Sequence, residues 1–482
     1  VSAEREPRNF HLASLSLVDG VVVAGEPTRG RRDREAGPAN SSGSGSGASR
    51  RPPGTSWAAA TPTSHGTASR TPTTRVQRIR ESRRRASGAF LAFGGSGGDS
   101  TDLSVAWVSD TGRDVRVTHH EPAAARLGDE MFVFAPVSGR KGTDDCGLFA
   151  LDGDGDREWS HPVAPEDCAI HAVADPVVGD LDGDGTLEVF VATTERRVTG
   201  FDARTGDAEF SYELSSYGYS GPLLTDFVGG GEREVVVVDA RGEVSVVHAN
   251  GTAAWTRQLD AYTWGQPSVA DFDADGDREL VVGVAGGGEL NLFEQDGSTV
   301  WHRANLTETS ITWMTTANVD DDPAREIVVA TRGGSVVAVD GRTGRAEWTR
   351  EFEALAAVRA VGDGDDDGTL EVYATAADGV LRNLDAESGE TEWTTTLTTA
   401  DVQMMPPPVL GDVDGDGDRE LVATTNDGMV KVVSPSDGQV VATYSRDVVV
   451  YTHPRLADTD GDGAAEIYVM YADGRVVALS AT

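Results

Sequence analysis

From residue 130 to residue 471 the chain keeps returning to one short pattern. A glutamate opens four or five mostly apolar positions, and an acidic or glycine-rich turn precedes it. The copies are EMFVFA at 130, EVFVAT at 188, EVVVVD at 234, ELVVGV at 279, EIVVAT at 326, EVYATA at 371, ELVATT at 420 and EIYVMY at 466, spaced by 45 to 49 residues from 188 onward. Runs of this length, rich in Val and Ile and bounded by Gly and Asp, predict strands. A second strand and a turn follow each run, as in VVAVDGRTGRAEW (336–348) and LRNLDAESGETEW (381–393). The unit at 172–213 divides into four strands, approximately AVADPVVG, LEVFVAT, RVTGFD and AEFSYEL, and no amphipathic helical window of useful length interrupts the pattern. Four antiparallel strands repeated at this period predict an all-β fold, a β-propeller of four-stranded blades.

The ends of the repeat decide the blade count. The last unit stops at VVALSAT, one strand short, whereas LSVAWVSDTG (103–112) has the pattern of an isolated fourth strand. Pairing this N-terminal strand with the last unit would close the ring and remove free sheet edges. Eight units then make an eight-bladed propeller; seven blades is the alternative if the divergent first unit forms none. The outermost strands carry an aromatic residue in nearly constant register, at Trp159, Phe210, Trp255, Trp301, Trp348, Trp393 and Tyr444. Recurrence in every unit predicts packing between blades rather than seven stacking sites for a ligand.

Between the first and second strands of most units lies D-x-D-x-D-G-x-x-E. It is complete at Asp180, Asp182, Asp184 and Glu188; at Asp271, Asp273, Asp275 and Glu279; at Asp363, Asp365, Asp367 and Glu371; at Asp412, Asp414, Asp416 and Glu420; and at Asp458, Asp460, Asp462 and Glu466. A sixth copy is altered to Asn318, Asp320, Asp322 and Glu326, with Pro323 in place of the glycine. The copy at Asp226 has lost the acids at its third and fifth positions and is expected to hold no ion. Alternate positions of a tight turn aim three carboxylates inward, and the glycine at position six permits the bend. Hard oxygen ligands in a forgiving shell suit Ca2+ better than Mg2+, which gives about five to six calcium sites. An EF-hand begins the same way but needs a bidentate glutamate at position twelve. Here that position is Val191, Val282, Ala374, Ala423 or Val469, already inside a strand.

On these residues the chain resembles two propeller families. The DxDxDG loop running into a strand resembles the FG-GAP repeat of integrin α-subunits, a resemblance that implies calcium in the loops. The D-x-x-T/S-G-x-x-x-W/F turn, from Asp202 to Phe210, Asp340 to Trp348 and Asp385 to Trp393, resembles the quinoprotein (PQQ-like) repeat. The combined resemblance covers about residues 103–482 and supports the fold far more than any activity.

In propellers of these families, the segments leading into the innermost strands open on the face opposite the calcium loops. In this chain they read HHEP (119–122), HAVADP (171–176), YGYSGP (217–222), YTWGQP (262–267), ITWM (311–314) and YTHP (451–454). His119, His120, His171, Tyr219, Trp264, Trp313, Tyr451 and His453 are therefore expected to converge at the channel mouth. Flat rings with polar tips suit a glycan or another extended ligand, and packing that plugs the channel is the alternative. The resemblance to quinoproteins implies a cofactor pocket with adjacent bonded cysteines, which Cys146 and Cys168 are not, so PQQ is not expected. Acyl-transfer, zincin and phosphate-loop motifs are absent from the sequence. A calcium-dependent polysaccharide lyase would need a base beside an acidic sugar, for which His171 or His453 would serve. A ligand- or partner-binding role is favoured over catalysis.

Charge changes where this scaffold belongs. The formal net charge is −38, with 79 acids against 41 Lys and Arg, and the only lysines are Lys141 and Lys431. Residues 1–86 carry about +8 of this balance and the remainder about −46. Dense carboxylates with little lysine point to a salt-adapted protein, because short-range screening mutes their repulsion. They also disfavour nucleic acid as a partner of the propeller. The domain reading is a basic, low-complexity and disordered segment over 1–86, with SSGSGSGAS and RIRESRRR, followed by the propeller over 87–482. RRRASGAFLAFGG (83–95) faintly resembles the end of an export signal, and no stretch is long enough for a transmembrane helix. Cys146 and Cys168, too far apart in sequence for a zinc motif, are expected to form a disulfide, with two buried thiols as the alternative. Sequons at Asn250 and Asn305 are compatible with export. The expectation carried forward is a monomeric, calcium-stabilised propeller, extracellular or on the cell surface of a halophilic microbe, that binds a glycan or a protein.

Overall fold

The computed structural model describes residues 102–481 except 260, 264, 286 and 321. The segment 1–86 lies outside the described residues. The described residues contain 32 strands and form eight four-stranded antiparallel sheets arranged as an eight-bladed β-propeller. Seven blades are built from consecutive strands, over 123–162, 177–213, 223–258, 268–303, 311–351, 356–396 and 409–445. The eighth takes three strands from 455–481 and its fourth from Leu103–Val108, which pairs antiparallel with Val476–Ala481. The ring thus closes through a strand from the N-terminal side, and the divergent first unit does form a blade.

The repeated apolar runs are the second strands, and they are fully buried, as Glu188–Thr193, Glu326–Thr331 and Glu371–Ala376 show along their whole length. Both faces of each strand meet a neighbouring blade, which is why the runs do not alternate. The innermost strands are shorter than the sequence pattern suggests. In blades 2, 3, 4, 7 and 8 they span three residues, each starting just after Pro176, Pro222, Pro267, Pro408 or Pro454. Proline has no N–H to give the ladder, so pairing begins only beyond it. Blades 5 and 6 lack that proline, and their innermost strands, Ile311–Ala317 and Ala356–Gly362, run to seven residues with a bulge in each.

Neighbouring blades are held by the aromatic register of the outermost strands. The indole N–H of Trp159 donates to Ala203 O, Trp255 to Gln295 O, Trp301 to Gly341 O, Trp348 to Ala386 O and Trp393 to Pro435 O, at 2.7 to 3.1 Å. Each acceptor lies in the last turn of the following blade. The glycine of that turn sits against the indole face: a β-carbon at Gly389 would lie 2.6 Å from the Trp348 ring. Gly389 also has φ +68°, a left-handed conformation that an L side chain adopts at a cost. Trp107 of the closing strand takes the same position against Gly155 of blade 1, so the staple continues across the seam of the ring. Cys146 and Cys168 form a disulfide that joins blade 1 to the segment leading into blade 2. Closing a loop with a sequence separation of 22 is worth about 3 kcal/mol in the chain-entropy account.

The staple can be tested by coupling. Trp348→Ala should cost about 3–5 kcal/mol in urea denaturation and Gly389→Ala about 1–3 kcal/mol. Most of the Gly389→Ala penalty should vanish in the Trp348→Ala background, because the ring it strikes is gone. Strict additivity would show that the two residues do not act through this contact.

Candidate functional site

The acidic loops share one hydrogen-bonded frame. In seven loops the ninth-position glutamate accepts the N–H of the second position, from Leu181 to Glu188, Phe227 to Glu234, Phe272 to Glu279, Val319 to Glu326, Gly364 to Glu371, Val413 to Glu420 and Thr459 to Glu466, at 2.7 to 3.0 Å. In six, the first-position aspartate accepts the N–H of position six at 3.0 to 3.2 Å. The loop at Asp226 keeps both bonds although its other acids are gone, so the turn itself does not need them.

The remaining carboxylates crowd together. Asp363, Asp365, Asp367 and Glu371 each place an oxygen within 4.8 Å of the others. So do the trios Asp180, Asp182 and Asp184; Asp271, Asp273 and Glu279; and Asp412, Asp414 and Glu420. In the altered copy, Asn318 donates its amide N–H to Asp322 O at 2.7 Å, and Asp320 and Glu326 are joined by Glu347 of the outermost strand. The buried oxygens Asp271 Oδ1, Asp363 Oδ1 and Glu279 Oε1 have no hydrogen-bond donor among the described residues. Burial first, and then the neighbouring aspartates, push Glu188, Glu279, Glu326 and Glu420 up to about 7, with the loop N–H bonds opposing. Donor chemistry, spacing and uncancelled negative charge all fit a hard divalent cation.

Two features of these loops escaped the sequence reading. Glu209, Glu347 and Glu392 lean in from the outermost strands, where burial and the nearby Asp carboxylates raise all three. The signal was partial: each stands immediately before the inter-blade aromatic residue, but the same position is Ala254 in blade 3, with its depleted loop, and Val300 and Thr443 in blades 4 and 7, whose loops are complete. Blade 3 also differs across the ladder. Glu188 and Glu371 pair there with Asp202 and Asp385, but Glu234 pairs with His248, whose Nδ1 lies 3.2 Å from the Glu234 carboxylate. An imidazole thus stands where blades 2 and 6 place another acid.

On the opposite face the predicted ring residues do converge, but as a buried cluster. His119 lies 4.6 Å from His171 and 3.9 Å from Tyr451 between ring centroids, and His171 lies 4.8 Å from Tyr219. The Tyr219 hydroxyl is 3.4 Å from His171 Nε2. His119, His120, His171, Tyr219 and His453 are all buried, and only Tyr451 is half-buried. Burial holds the imidazoles of His119, His171 and His453 well below the usual histidine range. Trp313 is 1% exposed and belongs to the core between blades 5 and 6, so the expected stacking platform is a packing residue. Without a proline, the strand extends through position 313 and carries the indole inward. Trp264 lies outside the described residues.

Beneath the rings is a charged group that the sequence reading passed over. His120 Nδ1 lies 3.1 Å from Asp175 Oδ1, which also accepts the Glu121 N–H at 2.9 Å. Glu121 pairs with His453, and the guanidiniums of Arg359 and Arg455 act on it. On the rim, exposed Tyr262 meets half-buried Tyr217 through their hydroxyls at 3.1 Å, and exposed Ile170 lies on the same face. A shallow groove of about 480 Å³ runs beside Tyr262, lined by Ala240, Arg241, Gln258 and Leu259.

The sequence pattern of the family described as outer membrane protein assembly factor BamB matches residues 220–363 and 286–482, together more than half of the chain. The chain belongs to this family. BamB from Moraxella catarrhalis is similar in structure, with 19% identity, a TM-score of 0.53, and coverage of 78% of this chain and 97% of that one. The quinohemoprotein alcohol dehydrogenase ADHIIG from Pseudomonas putida HK5 superposes with a TM-score of 0.55 at 13% identity, covering 78% and 76%. A europium-containing methanol dehydrogenase does so with 0.54 at 15%, covering 76% and 84%. At such identities the likeness is one of fold. No curated protein matches the chain in sequence. The BamB-family assignment accounts for the quinoprotein-like turns and leaves the acidic loops as a feature of this chain to be explained.

The loop glutamates make a signed prediction. An acid raised on folding, here from 4.5 to about 7, stabilises the fold at low pH and loses that contribution as pH rises through this window. In EDTA, Glu420→Gln should raise the melting temperature at pH 7 and leave it unchanged at pH 4.5. The opposite pattern in differential scanning calorimetry would show that Glu420 is not held in an unfavourable ionised state.

Proposed function

We propose that this BamB-family propeller is an exported, salt-adapted scaffold that binds a protein partner through the channel-mouth face, with calcium clips in its acidic loops. The observation that carries the binding reading is the character of that face. Buried rings fill the mouth, Tyr262 and Ile170 are exposed, Tyr217 is half-buried against Tyr262, and a shallow groove runs beside Tyr262. Tyrosine with a polar tip and an apolar body is the residue type that dominates protein interfaces. The BamB-like fold is consistent with a partner-binding scaffold. A lyase or a quinone-dependent dehydrogenase finds less support: His171 and His453 are shut away from a polymer, and the glycan reading loses Trp313 as a platform. The disulfide and the acidic surface suit an oxidising, saline exterior.

The calcium clips would be held by the aspartates at positions one, three and five with the ninth-position glutamate, joined by Glu347 in the altered copy. Bound calcium would supply the positive charge that these oxygens lack, tying the first two strands of a blade together. Chelation at low salt should then lower the melting temperature, each site contributing about 2.7 kcal/mol at a hundredfold excess over Kd. The Asp226 loop should bind none. An unchanged transition with EDTA, together with no calcium by metal analysis, removes the clip reading.

The partner-binding face is checked by a photo-crosslinking residue placed at Tyr262, with the same residue at exposed Val440 as reference. A discrete protein adduct at 262 and none at 440, in cells that produce the protein, is the expected result. Equal capture at both sites, or none at 262, overturns it.

A further inference from the structure

The charged group inside the channel is assembled from four blades. Glu121 and His120 come from the segment leading into blade 1, Asp175 from that leading into blade 2, His453 and Arg455 from blade 8, and Arg359 from blade 6. Blade 6 stands opposite blade 2 in an eight-membered ring, so Arg359 acts on Asp175 across the channel. The long innermost strand of blade 6 makes this reach. Its register breaks between Val358 and Val361, and Arg359 sits inside that bulge, a device that re-aims a side chain. Arg359 is 9% exposed, and its Nη1 meets no hydrogen-bond acceptor among the described residues. A buried guanidinium nitrogen in this state is costly, because each N–H has lost water without replacement.

The charges do not cancel either. Arg359 and Arg455 bring two positive charges, and Asp175 returns one negative. Burial raises Glu121 to about 8 against the pull of Arg359, while burial and both arginines keep His453 neutral, so this pair shares one proton and adds no charge at neutral pH. Burial lowers Arg359 only to about 10, which leaves it cationic. The group therefore carries a net positive charge, divided between buried Arg359 and half-buried Arg455.

We propose that Arg359 is the anchor of a small-carboxylate site within the channel, independent of the partner-binding face and of the acidic loops. A planar carboxylate presents two oxygens to the guanidinium fork and supplies the missing acceptor and the missing charge together. Arg455, beside the group, is half-buried and so gives it an edge open to solvent. The groups facing the site from every side are Glu121, Asp175, His120, His453 and Arg455. Of these, Glu121 opposes the ligand when it ionises, since its own carboxylate then neutralises the arginines. Above about pH 8, carboxylate binding is thus coupled to uptake of one proton.

Isothermal titration of the full chain with acetate, in saturating calcium and with chloride at equal ionic strength as control, tests this. Acetate should bind at pH 6.5 where chloride does not, and its affinity should fall about tenfold per pH unit above about 8. Arg359→Gln, verified as folded by near-UV circular dichroism, should weaken acetate at least about tenfold. Glu121→Gln should keep the affinity and abolish its pH dependence, which a purely structural role for either residue would not do. No acetate binding by the wild type overturns the proposal. Equal response to chloride, an affinity independent of pH, or an unchanged affinity in folded Arg359→Gln does so as well. If Arg359→Gln does not fold, the wild-type pH series and Glu121→Gln decide the matter.

Discussion

The contact on which the structure depends is the indole of one blade laid on the glycine turn of the next. Five of these indoles give their N–H to a carbonyl of that turn, and they and Trp107 each cover a residue that has no β-carbon. This joins hydrophobic burial, a satisfied donor and a conformation that glycine alone takes without strain. The contact recurs at six of the eight joints, with Phe210 and Tyr444 in place of the indole at the other two. It also explains why an N-terminal strand closes the last blade: Trp107 supplies the indole that blade 1 would otherwise lack.

Once the blades are locked in this way, the turns at their ends are free to carry chemistry. The acidic loops separate two roles that one motif had seemed to combine. The first aspartate and the ninth glutamate hold the turn by accepting backbone N–H groups, and they do so even at Asp226. The acids at positions three and five also accept backbone N–H groups, as Asp182 does from Asp184 and Asp184 from Thr186, but the turn at Asp226 forms without them, and with the strand-borne glutamates they add negative charge. His248 beside Glu234 shows the arrangement the fold adopts when those acids are missing. The proposed calcium relieves this excess charge in the other loops.

Symmetry is broken where proline is absent. Five prolines hold the innermost strands to three residues, whereas blades 5 and 6 let theirs run to seven. The extra length carries Trp313 into the core and Arg359 across the channel. The distinctive interior of this propeller follows from two missing ring residues in an otherwise repeated sequence.

The repeat period, the four strands of each unit, the eight blades, the closing strand and the inter-blade role of the tryptophans were legible in the sequence, because each is a local pattern repeated in register. The convergence of His119, His171, Tyr219 and His453 was legible as well, since antiparallel alternation places all their segments at one end of the blades. Their burial was not, and neither was the grouping of Glu121, Asp175, Arg359 and Arg455. Residues 121 and 359 stand on different blades, and only closure of the ring sets their distance. The charge state of a side chain depends on what surrounds it in space. For this chain the sequence determined the scaffold, and the tertiary structure alone decided which polar groups lost their water.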